Sequence, residues 1–241
     1  MHFYVYDESL SSPKLAHAVA EIETRLTDLG LQGRIGRLGP LKSANDMIRQ
    51  AIRSGATTVV AVGNDRTVAD VINALAGSDV ALGVIPIGSP TRIAELLGVH
   101  PGEAAVETLA ARKIETVDLG KINNHYFLTS AEVSTDDAIT LECDEHYTVS
   151  APAGLSVITI ANLSPGAQCQ DGYLEATIES SRRKWLRRSL SRTVVPFRQG
   201  RISSHEGAVA TVENSYTVKL PTTIEIIPRT LRIVVGRERA F

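Results

Sequence analysis

The chain has 241 residues, and 43% of them are hydrophobic, which is enough for the core of one large or two modest domains. Its net charge of −2 excludes a global attraction to nucleic acid, so any anion site must depend on a local basic cluster. Cys143 and Cys169 lie outside any C-x-x-C motif, which argues against a disulfide framework or a zinc centre. We find neither a signal-peptide pattern nor a long apolar run, and therefore expect a cytoplasmic protein. We assign no metal-ligating residues.

The first 120 residues alternate between strand and helix patterns. In chain order they predict a strand at 3–6, a helix at 15–29, a loose edge strand within 30–39, a helix at 43–54, a strand at 57–62, a helix at 68–75 and a strand at 81–87. The runs at 57–62 and 81–87 lack polar alternation, as expected of strands that are covered on both faces. Such an order predicts a mostly parallel sheet with helices on both faces, which binds ligands at the carboxyl ends of its strands. Those ends are the turns at 63–67 and 88–92.

Beyond about residue 120 the sequence changes to a series of strand patterns. They lie at 126–131, 138–143, 157–161, 174–179, 208–212, 223–227 and 231–235. Asn123 and Asn124 predict a tight hairpin turn, and residues 182–190 predict one helix. We therefore predict an α/β domain over residues 1–120 and an all-β antiparallel sandwich over 121–241. This division allows the last strands of the chain to pack against the first domain.

Two segments follow the buried strands of the first half: residues 60–68 are VAVGNDRTV, and residues 85–94 are IPIGSPTRIA. They resemble the V-V-G-G-D-G-T-V and I-P-L-G-T-G-N-D-F-A segments of the diacylglycerol kinase, sphingosine kinase and NAD kinase superfamily. Later segments that resemble the family are VDLG at 117–120, DGYLE at 171–175 and the strand at 227–233. VENS at 212–215 stands at the position of the family's V-D-G-E segment but has neither its glycine nor its glutamate, which weakens the case for catalysis. The resemblance covers nearly the whole chain, although the family usually has a longer, partly helical stretch after the aromatic strand near 126–128.

This resemblance implies phosphoryl transfer from ATP, with Mg²⁺, to a lipid or other hydroxyl acceptor in a cleft between the domains. It implies catalytic carboxylates at Asp65 and Asp171. It also implies a nucleotide site built from both loops, with the residues Gly63, Asn64, Arg66, Thr67, Gly88, Ser89 and Thr91. A glycine-rich turn before a helix suits phosphate because it exposes backbone N–H groups at the positive end of the helix dipole. The residues alone leave simpler alternatives open, namely a helix N-cap at Thr67 or Asp65 and a β-turn at Asp171.

Both loops depart from the family pattern. Asn64 and Arg66 replace glycines in the first loop, while Pro90, Thr91 and Arg92 replace Gly-Asn-Asp in the second. Side chains then fill space that a nucleotide would approach, and Pro90 has no N–H to donate. Arg66 either blocks a phosphate or binds it. Two functions follow: an ATP-dependent kinase, or a catalytically inactive pseudokinase that serves as a ligand-binding or regulatory module.

A basic segment surrounds Trp185 and Leu186. Its central cations are Arg183, Lys184, Arg187 and Arg188. As an amphipathic helix the segment would lie on an anionic membrane surface, and the alternative is a solvated helix docked by Trp185. We therefore expect a nucleotide or other phosphate ligand and a weak peripheral membrane contact, but no nucleic acid partner. Homo-oligomerisation is left open.

Overall fold

The computed structural model describes residues 1–39, 42–153, 156–165, 167–184, 187–205 and 207–241. It divides the chain into two compact units. The first unit contains Met1–Val117 and Arg229–Ala240, and the second contains Asp118–Pro228. The second unit is therefore an insertion in the sequence of the first.

The first unit is an α/β unit. Its own strands are β1 (His2–Tyr6), β2 (Gly33–Arg37), β3 (Thr58–Gly63) and β4 (Ala81–Pro86). Its helices are α1 (Ala16–Asp28), α2 (Ala44–Arg53), α3 (Asp65–Leu75), α4 (Arg92–Leu96) and α5 (Glu103–Ala111). The strand order is β2-β1-β3-β4, and every one of these pairings is parallel.

This strand order determines where the helices lie. The chain moves outward from β1 to β2 through α1, and then in the opposite direction to β3 and β4 through α2 and α3. Because such crossovers are right-handed, α1 covers one face of the sheet while α2 and α3 cover the other. Strands β3 and β4 are buried along their whole length, as their unalternated sequences require. The predicted α/β fold with helices on both faces is thus confirmed.

The second unit consists of antiparallel strands. They are β5 (Ile114–Ile122), which enters from the first unit, β6 (His125–Phe127), β7 (Ser130–Thr135), β8 (Ile139–Cys143), β9 (Tyr147–Ala151), β10 (Ser156–Ala161), β11 (Leu174–Lys184), β12 (Arg187–Phe197), β13 (Gln199–Ser204), β14 (Val209–Val212), β15 (Tyr216–Lys219) and β16 (Thr222–Val234). One sheet has the order β12-β11-β10-β7-β14-β15, and the other contains β16, β13, β8 and β9. Buried side chains from both sheets form one core, so the predicted all-β sandwich is confirmed.

The predicted hairpin turn at Asn123 is present, whereas the predicted helix at 182–190 is wrong. Asn123 has a φ of 51° and joins β5 to β6, whose closest partners are Ile122 and His125. In place of the helix, β11 continues to Lys184 and pairs with β12 through partners such as Arg183 and Arg188. This antiparallel pairing with β12 continues the ladder that both strands form from Leu174 and Phe197 onward, and it outweighs the local helical pattern.

The two strands predicted at 223–227 and 231–235 are one strand, β16. Its first part pairs with β13 through residues 222–225, and its last part pairs in parallel with β4 through Arg232 and Ile233. Pro228 lies between these two segments, so its missing N–H breaks neither of the two ladders. Within the described residues, no helix has the length and apolarity needed to cross a membrane.

Candidate functional site

The two loops that resemble nucleotide-binding motifs lie side by side in the first unit. Gly63 at the end of β3 pairs with Pro86 at the end of β4, because the two strands are parallel and in register. The N–H of Ile87 also donates to the carbonyl oxygen of Gly63 over 3.0 Å. The segments 63–67 and 88–92 therefore begin at the same edge of the sheet, as the sequence predicts.

Asn64 is the N-cap of α3. Its side-chain oxygen accepts the N–H groups of Arg66 and Thr67 over 3.1 and 3.3 Å. The alternative in which Thr67 or Asp65 caps this helix is wrong, because the asparagine that replaces a family glycine has taken that position. Arg66 itself is exposed.

The remaining donors of the first turn of α3 are also occupied. The N–H of Asp65 donates to the carbonyl oxygen of Pro90 over 2.8 Å, and the N–H of Val68 donates to the carbonyl oxygen of Asn64 over 3.1 Å. All four N–H groups from 65 to 68 thus have partners within the protein. The first three of these, from 65 to 67, precede the first intrahelical bond and are the groups that a helix start would otherwise direct at a phosphate.

The Asp65 side chain joins the first loop to the second. It is only 9% exposed, and its two oxygens accept the N–H groups of Arg92 and Ile93 over 3.0 and 2.9 Å. The carboxylate therefore caps α4 from across the site, while Thr91 at the N-cap position makes no side-chain hydrogen bond. Burial raises the pKa of Asp65, although the two N–H donors oppose that shift.

Thr67 is fully buried and hydrogen-bonds to Asp7, a residue that the sequence analysis did not identify. The Thr67 hydroxyl donates to Asp7 over 2.5 Å, and Asp7 also accepts the N–H of Ser9 over 2.8 Å. Gly63 permits this approach: its φ is 156°, and a Cβ there would lie 2.8 Å from both Asp7 and Thr67. Asp7 directly follows β1, and parallel strands end at one edge of the sheet, so its place after a predicted strand was the available signal.

Burial alone would raise the pKa of Asp7, but hydrogen bonds from Ser9 and Thr67 outweigh it and the pKa is lowered. A carboxyl with a lowered folded-state pKa stabilises the protein above its unfolded pKa of about 3.9, and this contribution is lost as the pH falls through the folded value. We therefore expect wild type and Asp7→Asn to differ in unfolding free energy at pH 6 and to converge towards pH 2. Urea titrations across this range measure the difference, and a gap that does not change with pH would contradict it.

The other predicted residues of the second loop are exposed or half-buried. Gly88 has a φ of 88° and open space around it, Ser89 is exposed and Thr91 is half-buried. Together with the exposed Arg66, Pro90 and Arg92, these residues form a part of the two loops that a ligand can reach.

Asp171 lies in the second unit, where it is exposed and forms a turn. Its carboxylate accepts the N–H of Tyr173 over 3.0 Å, and Gly172 has a φ of 76°. The buried carboxylate of Asp118, in the VDLG segment, accepts the N–H of Gly172 over 2.9 Å. This geometry is that of the β-turn alternative.

Glu213, in the VENS segment, is buried and hydrogen-bonded to the backbone of the second unit. It is 3% exposed and accepts the backbone N–H groups of Leu128 and Thr129 and the Thr129 hydroxyl, the last over 2.5 Å. This acidic group is therefore used to hold β6 and β7 together at their junction.

The basic segment lies in the β11–β12 hairpin of the second unit. Arg183, Lys184, Arg187 and Arg188 belong to β11 and β12, but their side chains lie outside the described part of the structure. Across the described ranges, no three His, Cys, Asp or Glu residues are grouped closely enough to hold a metal ion.

Sequence comparison identifies relatives of the first half of the chain. Residues 5–122 match the family described as Diacylglycerol kinase catalytic domain. A protein named Probable lipid kinase YegS-like from Alcanivorax borkumensis is 30% identical over 105 residues, which cover 42% of this chain and 35% of that protein. A diacylglycerol kinase from Mycobacterium tuberculosis is 32% identical over 89 residues, or 36% of this chain and 28% of that protein. The chain thus aligns with about a third of the length of these curated relatives.

Comparison of folds extends the similarity to the rest of the chain. A crystal structure of a diacylglycerol kinase from Bacillus anthracis str. Sterne superposes with a TM-score of 0.80 and 16% identity. The superposition covers 98% of this chain and 97% of that one. At this identity the match establishes a shared fold, which includes the antiparallel second unit.

Proposed function

We propose that the chain is a non-catalytic relative of the diacylglycerol kinases. The match of residues 5–122 to their catalytic-domain family and the shared fold support the relationship. The chain keeps the fold as a ligand-binding or regulatory module. The observation that supports this proposal is the first turn of α3, whose N–H groups from 65 to 68 are all bonded within the protein.

ATP does not fit the two loops as they are folded. A phosphate at α3 would have to displace the side chain of Asn64 and the carbonyl group of Pro90 from the N–H groups that they occupy. Pro90 offers no N–H in return, and the Asp65 carboxylate is engaged by two backbone donors. Each displaced hydrogen bond costs about 1 kcal/mol unless the ligand replaces it.

The second candidate is ATP-dependent phosphoryl transfer to a lipid or other hydroxyl acceptor. Asp65 favours it, because a buried carboxyl with a raised pKa is a stronger base than an exposed one and suits removal of a hydroxyl proton. Gly63 and Thr67 also keep the residue types of the family motif.

A titration separates the two functions. We expect no Mg²⁺-dependent heat when ATP, ADP or NAD is added to the wild type, and no product from labelled ATP with diacylglycerol, sphingoid bases or NAD. Mg²⁺-dependent ATP binding together with product formation would contradict the non-catalytic proposal.

Substitutions at Asn64 and Arg66 test whether this loop can be made to bind ATP. Asn64→Gly with Arg66→Gly frees the N–H groups at positions 66 and 67 and removes the exposed guanidinium, so ATP affinity should rise by about tenfold or more. Pro90→Gly, which adds an N–H, should increase this gain. If Arg66 instead binds anions, Arg66→Gly will weaken binding of ATP and inorganic phosphate. Arg53→Gly, at the end of α2, is a control that leaves both affinities unchanged.

We also propose a weak contact of the 182–192 segment with anionic membranes, which rests on its six basic residues. Each basic residue near an anionic surface contributes at most about 1 kcal/mol, and salt screens it. Sedimentation with anionic vesicles at low salt should carry the protein down, whereas neutral vesicles or high salt should not. Arg187→Glu with Arg188→Glu should abolish the effect, and equal binding to both vesicle types would contradict it.

A further inference from the structure

The second unit contains an open pocket of about 840 Å³ that the proposed function does not use. Its lining consists of residues 144, 146 and 147 of the β8–β9 turn, residues 172–173, residues 198–199, and residues 225, 226 and 228 of β16. Small-molecule sites in proteins typically enclose about 300–1,000 Å³, so the volume suits such a ligand.

Arg198 provides the positive charge of this pocket. Its guanidinium lies 4.7 Å from the centre of the Tyr173 ring, and Nη2 donates to the Tyr173 hydroxyl over 3.1 Å. Within the described ranges, Arg198 forms no ion pair with a carboxylate. Stacking on the ring holds the planar guanidinium in place and leaves further N–H donors for a ligand.

The two carboxylates that line the pocket are already bound to other groups of the protein. Asp144 accepts the backbone N–H groups of Arg198 and Gln199, each over 2.9 Å. Glu225 forms an ion pair with Lys121 over 3.2 Å. Neither carboxylate forms an ion pair with Arg198 in the described ranges, so the guanidinium is the charged donor of this pocket that is available to an anion.

The walls of the pocket are apolar and aromatic. Tyr147 and Tyr173 are 39% and 38% exposed, which is high for tyrosine rings beside the apolar side chains of Ile226 and Pro228. The Tyr147 hydroxyl is fixed by a 2.5 Å hydrogen bond to the carbonyl oxygen of Pro196. Fixed, partly exposed rings offer contact area at a low entropic cost.

From these contacts we propose that the pocket binds a small organic oxyanion, a phosphate or carboxylate attached to an apolar body. Arg198 holds the anionic group, and the rings of Tyr147 and Tyr173 pack against the body. The pocket lies wholly within the second unit and uses neither Asp65 nor Arg66, so it is independent of the proposal about ATP.

Calorimetric titration with phenyl phosphate, benzoate, inorganic phosphate and phenol tests this pocket. Phenyl phosphate should bind more tightly than inorganic phosphate or phenol, because only phenyl phosphate combines the anion with a ring. Dihexanoyl phosphatidic acid against glycerol 3-phosphate then tells whether the oxyanion comes with a lipid or a water-soluble body.

Variants assign the binding to the named residues. Arg198→Gln should lower the affinity for phenyl phosphate by about tenfold or more, since it removes a charge-assisted hydrogen bond. Arg201→Gln, at an exposed arginine of β13 that does not line this pocket, should leave the affinity unchanged. Tyr173→Leu should weaken phenyl phosphate more than inorganic phosphate. Circular dichroism confirms that each variant is folded.

Two results would overturn the proposal. One is the absence of binding of both phenyl phosphate and benzoate to the wild type. The other is equal loss of affinity in folded Arg198→Gln and Arg201→Gln, which would mean that the anion responds to surface charge in general.

Discussion

Replacing Glu213 by alanine should lower the free energy of unfolding by about 4 kcal/mol, because a buried charge-assisted cluster then loses its only acceptor group. The N–H groups of Leu128 and Thr129 and the Thr129 hydroxyl all donate to this carboxylate, and Leu128 is fully buried. Alanine offers no acceptor, and little water reaches the site to replace it. Urea denaturation followed by circular dichroism measures the change.

Two variants calibrate this result. Glu213→Gln keeps a carbonyl oxygen for the N–H donors and should lose less stability than alanine. Glu225→Ala removes an exposed glutamate that pairs with Lys121 and should cost less than about 1 kcal/mol. If Glu213→Ala is no more destabilising than Glu225→Ala, the carboxylate does not have the structural role assigned to it.

Asp65→Ala should lower the free energy of unfolding by about 3 kcal/mol, because it leaves the N–H groups of Arg92 and Ile93 without their acceptor. Asp65→Asn retains one acceptor oxygen and should be intermediate. Asp79→Ala, an exposed carboxylate of the same unit, is the matched control and should change stability by less than about 0.5 kcal/mol.

This measurement also concerns function. A residue kept only for catalysis often strains its surroundings, so its removal leaves stability unchanged or raises it. A large loss in Asp65→Ala would support a structural role for the carboxylate. Stability equal to that of Asp79→Ala would favour the kinase alternative, in which Asp65 is the base.

Local sequence patterns predict those parts of the fold that are determined by residues close together in the chain. The unalternated runs of β3 and β4 predict buried parallel strands, and Asn123 predicts its own turn because asparagine tolerates positive φ. The position of both loops at one sheet edge follows from those strands alone.

Other features depend on partners that are distant in sequence. Thr67 meets Asp7 across 60 positions, and Asp65 meets Ile93 across 28. The helical periodicity at 182–190 is overridden by the β11–β12 ladder, which begins as far away as Leu174 and Phe197. The N-cap at Asn64 does have a local signal, because asparagine is among the best N-cap residues and stands directly before the helical pattern.

The insertion of the second unit has a consequence for synthesis on the ribosome. Residues 118–228 are continuous and contain every strand pairing of their own sandwich core, so they can fold as soon as they have emerged. The first unit must wait, because Arg232 and Ile233 pair with β4 and the N–H groups of Val235 and Gly236 bond to Lys113 and Leu97. The half of the chain that is made first is thus the last to be completed, and it needs its final dozen residues to close the edge of its sheet.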